Sequence, residues 1–191
     1  CCQSLISETF RPAHFSADLF DRNFSTGEYH CVLCDQKHYM PQGRLDLYGC
    51  CFPCGPWSTR GQRKGAQDPN AKQCWYTMES IRYMQPVLFL CESVVGLAHG
   101  EGHGDLGSIM AYFENHVPNY HVSVLSGIDP TDMGFPLTKR RLLILGIRSD
   151  QGSGRRLKAN LAKLMEEPME IQHSWRSFLG LGPGMPGLER V

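Results

Sequence analysis

The sequence predicts an α/β domain built on a doubly wound, mostly parallel sheet, and three observations carry that prediction. Residues 87–91 form an uninterrupted apolar run, the pattern of a strand covered on both faces. Residues 73–84 repeat Trp75, Met78, Ile81, Tyr83 and Met84 near helical spacing, and Pro86 stops that helix. Two further apolar runs, 120–125 and 142–147, lie beyond a second helical segment around 109–113. Strand, helix, strand, helix, strand is the grammar of a parallel sheet with helices on its faces.

The first strand of this series is short. Residues 45–49 end in Gly49, and Cys50, Pro53, Gly55 and Pro56 follow, so a buried strand is expected to spill into a stiff turn. The loop at 57–72 is polar and Gly-rich. Residues 157–165 read as an amphipathic helix ending before Pro168. In doubly wound sheets functional residues gather at the carboxyl ends of strands, which singles out the loops after Tyr48 and after Cys91. Residues 1–150 hold these strands and loops. Residues 151–191, rich in Gly and Pro at 180–187, end in a loop composition that no core would use.

Composition narrows the function. The chain has 191 residues, 41% hydrophobic and 20% charged, which suits one domain with a real core and excludes wholesale disorder. No apolar run approaches a membrane span. Nineteen basic residues balance nineteen acidic ones, so a histone-like nucleic-acid binder is excluded. The balance is not local: residues 137–163 carry eight basic side chains (139, 140, 141, 148, 155, 156, 158 and 163) against Asp150 alone, an excess that suits a phosphate backbone. Nine cysteines, an odd number all within the first 91 residues, fit a disulfide framework poorly and favour a reducing, intracellular compartment. The chain opens Cys1-Cys2-Gln3 without methionine, and we read it as a piece of a longer polypeptide.

The turn at Gly49-Cys50-Cys51-Phe52-Pro53-Cys54-Gly55-Pro56-Trp57-Ser58 sets one cysteine between two prolines. A stiff turn presents a nucleophile in a fixed direction, and Arg60, Arg63 and Lys64 follow to favour a thiolate. These residues, with Gly61, Gly65 and Asp68 beyond them, resemble the catalytic loop of the cytosine carbon-5 methyltransferases, whose usual Gln and Phe are here Gly55 and Trp57. Phe89-Leu90-Cys91-Glu92-Ser93-Val94 resembles that family's Glu-Asn-Val segment, with Ser93 for Asn. Residues 129–146 resemble its Gly-Val-Pro-Gln-x-Arg-x-Arg segment, with Leu137 for Gln, Lys139 for the first Arg and Arg141 for the second.

The resemblance implies an incomplete Rossmann-like methyltransferase fold that transfers a methyl group from S-adenosylmethionine to carbon 5 of cytosine in DNA. A smaller branch of the family acts on transfer RNA. The implied roles follow the motifs. Cys54 adds to carbon 6, Glu92 relieves charge at ring nitrogen 3, Arg141 holds the base or orders the loop, and Lys139 contacts phosphate. By order along the chain, Gln3 and Asp21 fall near the cofactor's ribose and adenine, with Pro53 beside them. Residues 1–150 would be a partial catalytic domain in which the family's Gly-rich cofactor turn has no counterpart, and residues 151–191 the start of its recognition region or a flexible tail. No resident metal is implied, and in a eukaryote the compartment would be the nucleus.

Two rival readings come from other classes. Cys31-x-x-Cys34 and Cys51-x-x-Cys54, sixteen residues apart and with His30 and His38 flanking the first pair, match a four-thiolate zinc module by spacing. An inactive relative that binds nucleic acid without turnover is the other. The stretch His99-Gly100-Glu101-Gly102-His103-Gly104-Asp105 is too rich in glycine to be a preformed metal loop.

Overall fold

The structure, a computed structural model, describes residues 6, 8–58, 61, 64–98, 104–133 and 137–166. Gln3, Arg60, Arg63, the loop at 99–103 and the stretch at 180–187 therefore lie outside the described residues. A two-stranded antiparallel hairpin, β1 (Glu28–Cys31) and β2 (Gln36–Tyr39), comes first. A four-stranded sheet follows: β3 (Leu47–Cys51), β4 (Leu88–Val94), β5 (Tyr120–Ile128) and β6 (Arg141–Arg148), in spatial order β3-β4-β6-β5. Among the described residues, helices flank the sheet strands: α1 (Lys72–Met84) between β3 and β4, α2 (Gly104–His116) between β4 and β5, and α3 (Gly154–Glu166) after β6.

Strand direction confirms the expected sheet with one refinement. β3 pairs parallel with β4, and both β4 and β5 pair antiparallel with β6. Three strands thus share a direction and β6 is inserted against them, which makes the sheet mixed in its pairings. The cause lies in the connections. Helices α1 and α2 carry the chain back across the sheet, as a parallel partner requires, whereas the described residues of the link from β5 to β6 hold a short 3-10 turn (Pro130–Met133), and the chain returns on the neighbouring strand in the opposite direction.

Alternation along β4 separates two environments. Phe89, Cys91 and Ser93 are buried on one face beside Ile144 and Leu142 of β6, beneath α1 (Cys74, Met78, Ile81) and α2 (Ile109, Phe113). The spacing 74, 78, 81 is the stripe that makes α1 a helix and aims it at the core. Gln85 in the left-handed region (φ 47°) caps it, its amide reaching the Ile81 carbonyl, and Pro86 follows. Leu90 and Glu92 project to the other face, where Gly152 and Gly154, at the start of α3, approach Ile147 and His121. Helices on both faces meet the expectation of a doubly wound sheet.

Gly146 shows how tightly the first face is packed. It sits across from Phe89 in the β4–β6 ladder, and a Cβ there would lie 2.1 Å from the Phe89 ring. That ring is fully buried and stacks on Phe113 at 5.0 Å between centroids. Gly146→Ala is therefore expected to cost about 1–3 kcal/mol by overpacking, read as a fall in the urea midpoint.

The β5–β6 link is held by a buried carboxylate. Asp129 accepts backbone N–H bonds from Thr131 and Lys139, both at 3.2 Å. Burial disfavours its charge, but the two amides outweigh burial and hold the carboxyl below its ordinary value of 3.8. A depressed folded pKa contributes stability that is present above the ordinary value and lost as pH falls through the folded one. Asp129→Asn should remove that part of the acid sensitivity, so that stability measured by urea melts falls less steeply below about pH 4 than in the parent chain.

Candidate active site

The carboxyl ends of β3, β4 and β5 share one edge of the sheet, and the antiparallel β6 begins there. Register fixes what meets at that edge. Cys51 lies beside Glu92, and the pairing runs one residue past β3, since the Phe52 amide donates to the Glu92 carbonyl at 2.7 Å. Arg141, the first residue of β6, lies across from Val94 and from Ile128. Side chains two residues apart along a strand share a face, so Glu92 and Val94 face the same way and Arg141 stands diagonal to Glu92. Its Nε forms an ion pair with Glu92 Oε1, both side chains being largely buried.

Cys54 stands two residues beyond the last β3–β4 bond and is exposed. Its carbonyl accepts from the amides of Trp57 (3.1 Å) and Ser58 (2.8 Å), which folds the segment into one tight turn between Pro53 and the fully buried Pro56. The turn is clamped from several sides. Trp57 is buried, and its indole N–H donates to Asp105 Oδ2 at 2.6 Å, in the first turn of α2. The same oxygen accepts the Ala66 amide at 3.1 Å, and the Pro56 carbonyl accepts the Gly65 amide at 3.0 Å. Two glycines permit this packing: a Cβ on Gly61 would meet the Gly55 carbonyl at 1.9 Å, and one on Gly96 the Trp57 carbonyl at 2.1 Å.

The departures from the family pattern acquire physical meaning here. Gly55 is exposed with open space around it, so nothing steric demands glycine. Trp57 supplies an indole donor that a phenyl ring lacks, and Asp105 is its acceptor. Ser93 is buried on the core face, away from the face that carries Glu92, and its hydroxyl has no hydrogen-bond partner among the described residues. Leu137 and Lys139 are exposed, with Lys139 held through its backbone by Asp129.

Of the expected site residues, the fold brings Glu92 and Arg141 into contact and sets the Cys54 turn directly after the Cys51–Glu92 pairing. Pro53 is half-buried at the head of that turn. Asp21 is exposed in a 3-10 turn (Leu19–Asp21) that packs on α1 through Phe20 and Tyr76. Burial, followed by the neighbouring Glu92 carboxylate, pushes the Cys51 thiol above its ordinary range, so Cys51 is the neutral neighbour of the site. The basic excess divides. Arg141 pairs with Glu92 and Arg148 with Asp150 (2.8 Å), while Lys139, Arg140, Arg155, Arg156 and Lys158 are exposed.

Two expectations change. Asp105, read as part of a glycine-rich loop, belongs to α2 and fastens the Cys54 turn; no local sequence signal marked it, because its partner Trp57 lies 48 residues away. The four-thiolate grouping does not form. Among the described residues Cys31 and Cys34 gather with His14 and His38, without Cys51 or Cys54. A cavity of about 1010 Å³ lies away from the Cys54 turn, between α2, β5 and α3, lined by residues such as Phe113, Tyr120, His121 and Lys158.

Comparison with known proteins identifies relatives of the chain. Type II methyltransferase M.PspPI of Psychrobacter sp. (strain TA137) is 30% identical over 108 residues, 56% of this chain and 26% of that protein. M.HpaII of Haemophilus parainfluenzae is 25% identical over 134 residues, 70% of this chain and 37% of that protein. The chain thus spans roughly a quarter to two fifths of the length of these relatives. In fold it is similar to the Entamoeba histolytica methyltransferase EhMeth, with a TM-score of 0.54 and 15% identity over 76% of this chain and 41% of that one. No described helix is long and apolar enough to cross a membrane. The profile described as C-5 cytosine-specific DNA methylase matches residues 13–179, nearly the whole chain, and the protein belongs to that family.

Proposed function

We propose that this chain carries the nucleophile and the charge-relieving carboxyl of a DNA methyltransferase that modifies carbon 5 of cytosine. The observation that carries the reading is the parallel register of β3 on β4, which seats a clamped, exposed cysteine just past a carboxylate tethered by arginine. Carbon 5 of cytosine is a weak nucleophile. The Cys54 thiolate gives its electron pair to carbon 6, and the electrons of the 5,6 double bond become available at carbon 5. Glu92 supports this step at ring nitrogen 3, delivering or sharing a proton as negative charge builds on the ring. Arg141 positions Glu92 through their ion pair, and Lys139 with Arg140, exposed at the same edge, suits backbone phosphate. The base must leave its stack to reach the turn.

The methyl donor implied by the family is S-adenosylmethionine, and it supplies an electrophilic methyl group to carbon 5. The described residues suit part of it. Asp21 offers an exposed carboxylate as acceptor for an amine or hydroxyl, and Pro53 a half-buried apolar wall. Once carbon 5 is methylated, its proton leaves to a base, the double bond re-forms, and the bond to Cys54 breaks. An intracellular location, nuclear in a eukaryote, suits this substrate, as do the seven described cysteines, which are all unpaired.

The test uses the full-length parent protein, the methyl donor, and an oligonucleotide carrying 5-fluorocytosine, whose carbon 5 has no proton to release. A denaturant-stable protein–DNA adduct should accumulate, and Cys54→Ala should abolish it; adduct formed equally well without Cys54 overturns the mechanism. Glu92→Gln removes the ionisable group but keeps the shape. It should slow adduct formation by about 10²-fold or more, with the circular dichroism spectrum unchanged. Equal rates would remove Glu92 from this role.

A further inference from the structure

Three segments of the N-terminal region converge on one point. Cys31 ends β1, Cys34 lies in the turn that joins β1 to β2, His38 lies on β2, and His14 belongs to the segment before the hairpin. One ligand atom from each of the four, two sulfurs and two ring nitrogens, lies within 4.8 Å of all the others. Cys34 Sγ and His38 Nε2 are 3.0 Å apart, and the His14 and His38 rings stand 4.0 Å apart between centroids. We propose that His14, Cys31, Cys34 and His38 form a structural zinc site that ties the N-terminal segment to the β1–β2 hairpin. The proposal is independent of the methyltransferase reading.

The backbone builds this site before any metal arrives. Tyr29 pairs with His38 across the hairpin, and Cys31 shares the face of Tyr29, so the Cys31 and His38 side chains project to one side. Asp35 takes the left-handed conformation (φ 57°), which closes the turn tightly enough to bring Cys34 round to His38. The His14 segment is pinned by two main-chain bonds. The Val32 amide donates to the Phe15 carbonyl at 2.9 Å, and the Phe15 amide donates to Cys31 Sγ at 3.4 Å. An amide aimed at the sulfur supports a metal-bound thiolate from the outer shell. His30, adjacent in sequence but on the opposite face of β1, is engaged by Asp35 at 3.1 Å and takes no part.

The ligand chemistry selects the ion. Two thiolates and two imidazoles in a tetrahedral array suit zinc. Bond lengths of about 2.0–2.1 Å to nitrogen and 2.3 Å to sulfur place tetrahedral ligand atoms about 3.3–3.8 Å apart, a small adjustment from the observed spacing. His14 and Cys34 are exposed, so an ion has a path in, while Cys31 is buried beneath it. The fold also has a use for such a staple. A two-stranded hairpin outside the main sheet is marginal by itself, and a bound metal converts binding free energy into folding free energy.

The test is metal content and geometry of the purified, reduced chain. Elemental analysis should find one zinc per chain after dialysis. Cobalt substituted for zinc should give tetrahedral d–d bands together with thiolate-to-cobalt charge transfer. Cys34→Ser and His14→Ala, both at exposed positions, should each weaken zinc binding by more than about a hundredfold, beyond the 10–100-fold effect of outer-shell changes. His30→Ala, and Cys51→Ser combined with Cys54→Ser, should leave the stoichiometry at one. Substoichiometric zinc in the parent chain, an octahedral cobalt spectrum, or loss of metal in the Cys51/Cys54 double variant would overturn the proposal.

Discussion

The parallel register of β3 on β4 is the constraint from which the candidate site follows. Parallel strands put their carboxyl ends at one edge, so the loop leaving Cys51 and the end of β4 must emerge side by side. The bond from the Phe52 amide to the Glu92 carbonyl extends that register into the loop. Everything the turn then does, including the bonds from Trp57 and Ser58 to the Cys54 carbonyl, starts from a fixed origin. A slip of one residue would turn Glu92 toward the core and Cys91 toward the cleft, exchanging a carboxylate for a thiol.

Rigidity around Cys54 comes from more than its flanking prolines. Proline fixes one dihedral and withdraws one donor, which limits the turn without anchoring it. Anchoring comes from the buried Trp57, whose indole reaches the first turn of α2, and from Gly61 and Gly96, which let backbone approach backbone. The Cys54 turn is thus fastened to α2 and to the segment after β4, two elements that the chain reaches only after α1. Such non-local fastening holds a side chain in place without burying it, which is what an exposed nucleophile needs.

The sequence made some of this legible and hid the rest for identifiable reasons. Strands such as 87–91 and 142–147 are continuous apolar runs, and α1 carries its stripe openly, so these elements could be read. The Cys54 turn, Glu92 and Arg141 were found because motif order resembles a family. Periodicity alone would have left Glu92 a surface carboxylate. The β1–β2 hairpin was missed because its strands have four residues each, with burial too uneven to give a clear alternation. Pairing Cys31 and Cys34 with the wrong partners had a similar cause. Spacing counts residues along the chain, whereas His14 reaches the pair through main-chain bonds formed at Phe15.

The antiparallel insertion of β6 has an evolutionary corollary. Because that strand begins where its neighbours finish, its leading residue reaches the rim from the far side of a link that makes no crossover. The guanidinium's place then depends on the ladder and on the Asp129 tie to the Thr131 and Lys139 amides that brings the link back to it. Losing a single residue inside the strand instead inverts its facing and drives a cation beneath the helices. Changes of length from position 141 onward should therefore be far less tolerated than substitutions that keep it.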